Sequence, residues 1–255
     1  MKTLLFLDLD DTVFQTQAKC LHDHGCSEAL EPTAFLENGL AHGFSTPPQR
    51  QFLQLMRGVE IIPTTARHTS SYQRVKLDIP PPNWVILNHG GTILDPSSQP
   101  HPVWSAHMQG IMRPWLSHFE DLNTQINQWA AQHAPGLHAR LIGDHGQIFY
   151  VLVKDRDKQH PISLPRLRDE LLAAWLEPHP ELTLHHNGNN LTVMPKNLDK
   201  AHAVRFLLEH YRREHPELLV LGAGDSQSDA DFLQLCDYAL IPKHAQLMRN
   251  LAQDS

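Results

Sequence analysis

Four short stretches gather the residue types that do chemistry. FLDLDDT, residues 6–12, delivers Asp8 and Asp10 at the end of an apolar run and then Thr12. IIPTTAR, residues 61–67, ends a second apolar run in Thr64 and Thr65, with Arg67 behind them. MPKNLDK, residues 194–200, offers Lys196 and Lys200, and LGAGDSQSD, residues 221–229, offers Asp225 and Asp229. An apolar run that stops abruptly at carboxylates reads as a buried parallel strand opening on a site at its C-terminal end. An aspartate there can attack phosphorus, forming an aspartyl-phosphate that divides one hard step into two easier ones. A strand-end threonine can donate to a phosphate oxygen. A lysine that opens a helix opposes the macrodipole, so it is placed there at a cost and is more telling than one on a solvated helix face.

A separate group is Cys20, His22, His24 and Cys26, at alternate positions. An extended strand would put all four on one face, and two Cys with two His could hold zinc. Metal-site patterns normally bracket a turn, however, so a plain surface loop or flap is the favoured reading.

Elements that must position these groups follow from the apolar pattern. Thr3–Leu7 reads as the first strand. Ser45-Thr46-Pro47-Pro48 is a helix start, a hydroxyl N-cap followed by proline; Phe52, Leu53, Leu55 and Met56 give that helix an apolar side, and Gly58 stops it. Val59–Thr65 and Trp84–Leu87 read as strands around a polar helix near Ser70–Leu77, so the rhythm is that of a parallel βαβ sheet. From about Asp95 to Met194 it changes to helix, two strands, helix, two strands. The expected helices are Ser105–His133 and Leu164–Leu176. The expected strands are Ala139–Ile142, Gln147–Val153, Leu182–His185 and Leu191–Met194, with Asn187-Gly188 as a hairpin signal. Hairpins inside a parallel α/β chain mark an inserted domain. The parallel rhythm returns with a helix at Lys200–Tyr211 and strands at Leu218–Leu221 and Tyr238–Ile241. Val13 to Thr46 shows only weak periodicity.

Composition bounds the partners. The chain has 255 residues, 41% hydrophobic and 19% charged, which is enough to bury a core. A net charge of −7 argues against general nucleic-acid binding. Three cysteines suit a reducing compartment rather than a disulfide framework. The opening MKTLLFL stops at Asp8, too short for a signal peptide, and no apolar stretch approaches the ~20 residues of a membrane span. The expectation is a cytoplasmic protein, with oligomeric state left open.

In this order the four motifs resemble those of the haloacid dehalogenase superfamily of phosphohydrolases, and within it the Cof-type group (subclass IIB). The resemblance covers nearly the whole chain, and its specificity lies in the set rather than in any one motif. It implies an α/β fold: a doubly wound, Rossmann-like parallel core from residues 1–94 and 195–255, and an inserted α+β cap at 95–194. Residues 13–46 form an extended flap or insertion within the core, longer than the family's usual connection. By the same resemblance Asp8 is the nucleophile and Asp10 the general acid and base, a task that crowding by other carboxylates would favour. Thr65 binds phosphate, with adjacent Thr64 leaving the register open and Ala66 standing where the family usually has glycine. Lys200 is the phosphate and Asp8 partner, with Lys196 the competing choice. Position Asp11 is often glycine in this group.

The resemblance also sets the fourth motif beside the first. Unit charges about 4 Å apart repel by about 4 kcal/mol at an effective dielectric of about 20, so Asp8, Asp225 and Asp229 together ask for a cation. Oxygen ligands with room for water and phosphate suit Mg²⁺. The implied ligands are the Asp8 and Asp225 side chains and the Asp10 backbone carbonyl, with Asp229 more often behind them. The expected activity is Mg²⁺-dependent hydrolysis of a small phosphorylated metabolite, a sugar phosphate being favoured. The cap hairpin tips, Asp144, His145, His185, His186, Asn187 and Asn189, either contact sugar hydroxyls or are exposed turns. A sugar phosphomutase and a catalytically silent binding protein are the rival readings.

Overall fold

The computed structural model describes residues 2–24, 29–155, 162–187 and 189–253. By compactness the chain divides into two units, Met1–His101 with Asp199–Ser255, and Pro102–Leu198.

The first unit opens with β1 (Lys2–Leu7), whose last four residues are buried. Leu5 and Leu7 enter one cluster with Leu9, Leu53 and Ile61; Leu4 and Phe6 point to the opposite face. The segment of weak periodicity then folds into β2 (Gln15–Thr16), α1 (Gln17–His24), β3 (Glu31–Phe35) and β4 (Ala41–Ser45), with a small antiparallel sheet in the order β2-β4-β3. It is anchored rather than loose, because Val13, Phe14 and Ala34 are buried in the same cluster as β1. Cys20, His22 and His24 fall on α1, not on a strand. Residues two apart on a helix sit about 200° apart, so Cys20 is buried and His22 is exposed. The one-face arrangement for zinc is therefore not formed, and Cys26 lies outside the described residues.

Helix α2 (Pro47–Leu55) has Thr46 as N-cap; the Thr46 N–H donates to Gln49 Oε1 at 2.9 Å. β5 (Glu60–Pro63) follows, then α3 (Thr69–Tyr72), shorter than expected, then β6 (Val85–Leu87) and β7 (Thr92–Leu94). β7 carries no sequence signal of its own and forms an antiparallel hairpin with β6.

In the second unit a proline divides the expected long helix. α4 (Pro102–Met112) and α5 (Leu116–His133) are separated by a 3₁₀ turn over Arg113–Trp115. α5 buries Phe119, Leu122, Ile126 and Ala130, three to four residues apart, and packs on β8 (Leu137–Asp144) and β9 (Gln147–Asp155). α6 (Ser163–Leu167) and α7 (Ala173–Leu176) flank a π-helical turn, and β10 (Leu182–Asn187) and β11 (Asn190–Pro195) close the unit. The sheet is antiparallel in the order β10-β11-β9-β8.

The chain returns to the first unit with α8 (Lys200–Glu214), β12 (Leu218–Ala223), α9 (Ala230–Leu233), β13 (Tyr238–Leu240) and α10 (Gln246–Gln253). The core sheet is parallel, in the order β13-β12-β1-β5. β6 extends it through a parallel bridge between Thr64 and Ile86. This is the α/β class, with a Rossmann-like parallel core and additional antiparallel sheets. No helix among the described residues is long and apolar enough to cross a membrane.

Candidate active site

The site lies at the carboxyl ends of the central strands, where open α/β sheets bind ligands. Asp8 is the first residue past β1. Its N–H donates to the Ala223 carbonyl at the end of β12, at 2.9 Å, while the Thr64 N–H donates to the Leu7 carbonyl at 2.7 Å. Strand pairing thus carries three of the four motifs to one edge. The remaining one arrives on α8, whose first residue is Lys200. Asp199 caps that helix, its carboxylate accepting the Ala201 N–H at 2.7 Å.

Two glycines permit the close approaches. Gly90, at φ +95°, leaves room for the Asp199 carbonyl, which an added Cβ would meet at 2.4 Å. Gly224 lets Asp229 close in; a Cβ there would stand 2.6 Å from the Asp229 Cβ.

The centre is a buried charge cluster. Lys200 Nζ donates to Asp8 Oδ1 and to Asp229 Oδ1, both at 2.7 Å. Lys200 is 3% exposed, Asp8 4% and Asp229 0%, so these interactions are made in low dielectric. The second oxygen of Asp8 accepts from Thr12 Oγ1 at 2.8 Å. Burial pushes the Asp8 carboxyl up to about 7, against the pull of Lys200 and with the help of Asp229 and Asp10. Burial would lower Lys200, but Asp229 and Asp8 outweigh it and hold the ammonium above its ordinary value. Asp229 stays below the usual carboxylate range, because Lys200 and the Ser226 donors overcome burial.

Asp225 is different. Among the described residues its carboxylate accepts no hydrogen bond. Burial, then the charges of Asp8, Asp229 and Asp11, push it up to about 8. One carboxylate oxygen from each of Asp8, Asp225 and Asp229 lies within 4.8 Å of the others. The set is hard oxygen only, it carries more negative than positive charge, and among the described residues Asp225 makes no ion pair. Those features fit a divalent cation such as Mg²⁺. Asp229 is already occupied: Oδ1 takes Lys200, and Oδ2 takes the Asp225 and Ser226 N–H groups and Ser226 Oγ.

Asp10 lies at the rim. The expected crowding by carboxylates is not what surrounds it: Arg67 Nε and Nη2 donate to its two oxygens, each at 2.7 Å. Arg67 and Thr12 are the polar contacts the motif reading left without a role. Thr65 is 1% exposed, and its Oγ1 accepts the Arg67 N–H at 3.2 Å. Thr64 Oγ1 instead donates backward to the Ile62 carbonyl at 3.0 Å. Lys196 is exposed in the second unit, whereas Lys200 touches Asp8. Asp11 sits at φ 63°, a left-handed conformation that glycine and aspartate both tolerate. Its carboxylate pairs with Lys19.

Of the hairpin-tip residues, Asn189 is used internally. Its Nδ2 donates to the Asp155 carbonyl at 3.0 Å, and its carbonyl accepts the Asp155 N–H. Asp144 and His145 face each other at 3.8 Å. His185 and His186 lie on β10, and the Asn187 side chain lies outside the described residues.

Comparison with known proteins gives a family and a fold. The sequence model of the family described as sucrose-6F-phosphate phosphohydrolase matches residues 48–247, a span holding Thr65, Lys200, Asp225 and Asp229. A protein of Nitrosococcus oceani named as a HAD-like hydrolase is 26% identical over 245 residues, covering 87% of this chain. The chain spans 59% of that curated relative's length. Among solved structures, the sucrose-phosphatase of Synechocystis sp. PCC6803, in complex with sucrose and phosphate, superposes with a TM-score of 0.56 at 17% identity. That match covers 100% of this chain and 88% of the other. A trehalose-6-phosphate phosphatase related protein gives 0.52 at 16% identity, covering 98% and 96%. At such identities the likeness is one of fold.

Proposed function

The chain belongs to the sucrose-6F-phosphate phosphohydrolase family, and on that premise we propose that it hydrolyses a small phosphate ester, a sugar phosphate, through an aspartyl-phosphate on Asp8. The observation that carries this reading is the shared ammonium. Lys200 bridges Asp8 and Asp229 in a buried cluster whose third carboxylate, Asp225, makes no ion pair among the described residues. Such a cluster is short of positive charge, as a site completed by a divalent cation would be. The family's description favours a sugar phosphate as the class.

In the first step an Asp8 oxygen attacks phosphorus, the bond from phosphorus to the ester oxygen breaks, and Asp10 gives that oxygen its proton. In the second, Asp10 takes a proton from water, the water oxygen attacks phosphorus, and the Asp8–phosphorus bond breaks to release phosphate. Lys200 keeps Asp8 ionised and aimed, Thr12 fixes its other oxygen, and Thr65 can donate its hydroxyl hydrogen to a phosphate oxygen. Mg²⁺ held by Asp8, Asp225 and the Asp10 carbonyl would offset charge on the transferring group.

The test is phosphate release from a panel of sugar and non-sugar phosphate esters, with Mg²⁺ or with EDTA, beside Asp8→Asn. Release that needs Mg²⁺ and no sugar bisphosphate, and that Asp8→Asn abolishes, is the expected result. Equal release by both proteins would overturn the nucleophile assignment. A bisphosphate requirement would point to a mutase.

A further inference from the structure

Within the second unit four aromatic side chains form one cluster. Trp115 precedes α5, His118 is on the first turn of that helix, Trp175 is on α7, and His179 follows α7. Ring centre to ring centre, Trp115 lies 5.8 Å from His118 and 5.9 Å from His179, and Trp175 lies 4.8 Å from His179. The two imidazoles are 4.9 Å apart, with their planes at 70°, so they are not stacked face to face. His118 is exposed and His179 half-buried. Among the described residues no ring nitrogen of either histidine has a hydrogen-bond partner.

Both histidines are held by their backbones. His118 sits on a helix, and His179 lies between Pro178 and Pro180, whose rings stiffen the chain. The His179 N–H donates to the Leu176 carbonyl at 2.9 Å, and its own carbonyl accepts the Leu182 N–H at 3.0 Å. The tryptophans flank the imidazoles and limit their rotation. A pair set in place before binding leaves little ordering to oppose a ligand.

The spacing identifies that ligand. With metal–nitrogen bonds of about 2.0–2.1 Å, two imidazoles on one tetrahedral or square ion have ring centres about 4.5–5.2 Å apart. The observed 4.9 Å falls inside this window. We propose that His118 and His179 chelate a divalent first-row metal ion of the imidazole-binding class, Zn²⁺ or its neighbours Ni²⁺ and Cu²⁺. Hard Mg²⁺ prefers oxygen and does not compete. No carboxylate or thiolate joins the pair as a third close ligand among the described residues, so water fills the remaining positions. The bound ion ties α5 to the turn after α7. The site shares no residue with the Asp8 centre and goes beyond the phosphatase reading, on which it does not depend.

The experiment is calorimetric titration of the full chain with Zn²⁺ at pH 7.5, in millimolar Mg²⁺ to occupy oxygen sites, beside His118→Gln and His179→Gln. Wild type is expected to show a micromolar Zn²⁺ site that each variant weakens at least about tenfold. The double variant should lose no more than either single one, since one missing ligand already breaks the chelate. Ni²⁺ should quench wild-type tryptophan fluorescence, and His118→Gln should remove most of that quenching at the same concentration. His118→Gln changes an exposed side chain, so its thermal unfolding without added transition metal should match wild type. Should His179→Gln fold poorly, His118→Gln decides alone. No Zn²⁺ binding in the presence of Mg²⁺, or a Zn²⁺ isotherm unmoved by His118→Gln, would each overturn the proposal.

Discussion

Arg67 grips Asp10 with two parallel N–H bonds of 2.7 Å. The guanidinium is itself held, by Nη1 to the Ser71 carbonyl at 3.2 Å and by lying 5.2 Å from the Phe14 ring centre. A bidentate fork fixes a carboxylate in direction as well as distance. Arg67→Ala is therefore expected to lower the rate of phosphate release by about 10- to 100-fold. On an Asp10→Ala background the same change should cost little, less than about threefold. A double-mutant cycle in kcat measures this, and additive losses would mean that Arg67 acts elsewhere.

Lys200→Met leaves Asp8 and Asp229 buried without their ammonium. Breaking a buried pair of this kind costs about 3–5 kcal/mol. Without the cation both carboxyls move up, so the folded state binds protons more readily than the unfolded chain. The deficit should then shrink as pH falls. Urea unfolding at pH 8 and pH 5 checks it; a deficit that grows in acid would be the wrong sign.

Asp225 is held up to about 8, against an ordinary 3.8. A group raised by folding destabilises the ionised fold, and the penalty grows between those two values. In EDTA at pH 8, Asp225→Asn should melt at or above wild type, and the gap should close toward pH 4. With Mg²⁺ added, wild type should gain melting temperature and the variant should not. Thermal scans in the two buffers measure both effects.

Glu60 shifts the other way. Burial alone would raise it, but donors from Lys2, Tyr211 and Asn83 hold it below the usual carboxylate range. Those bonds join β5 to the chain start and to α8. A lowered carboxyl gives stability that is present above its unfolded value and lost as pH falls through its folded one. Glu60→Gln should be less stable at pH 7, with the difference fading below about pH 4. Denaturation curves across that range give the comparison.

Gly90→Ala forces a Cβ to 2.4 Å from the Asp199 carbonyl at a φ of +95°. Neither the clash nor the backbone relaxes cheaply, because Asp199 caps the helix that presents Lys200. A loss of more than about 2 kcal/mol is expected in urea unfolding. A neutral substitution would show that this loop can yield.

Much of the candidate site was legible in the residues themselves. Asp8, Thr65, Lys200, Asp225 and Asp229 each end a strand or open a helix in apolar surroundings, and such positions are local properties. What failed was also local in origin. The run from Val13 to Thr46 has short strands and no strong period, so its sheet and its anchoring through Phe14 could not be read. Pro114 breaks a helix that the apolar spacing alone would continue. β7 is three residues long and exists because β6 pairs with it.

The order of apolar runs, carboxylates and caps along the chain determined the α/β class and which groups were available for chemistry. Only the tertiary structure decided which of them meet. Lys200 reaches Asp8 across 192 positions and Arg67 reaches Asp10 across 57. The partner of Asp10 proved to be a guanidinium rather than a carboxylate, and the Asp225 carboxylate was left without one among the described residues. Charge and burial act through space, so a carboxylate's environment is set by whichever strand ends the sheet brings beside it.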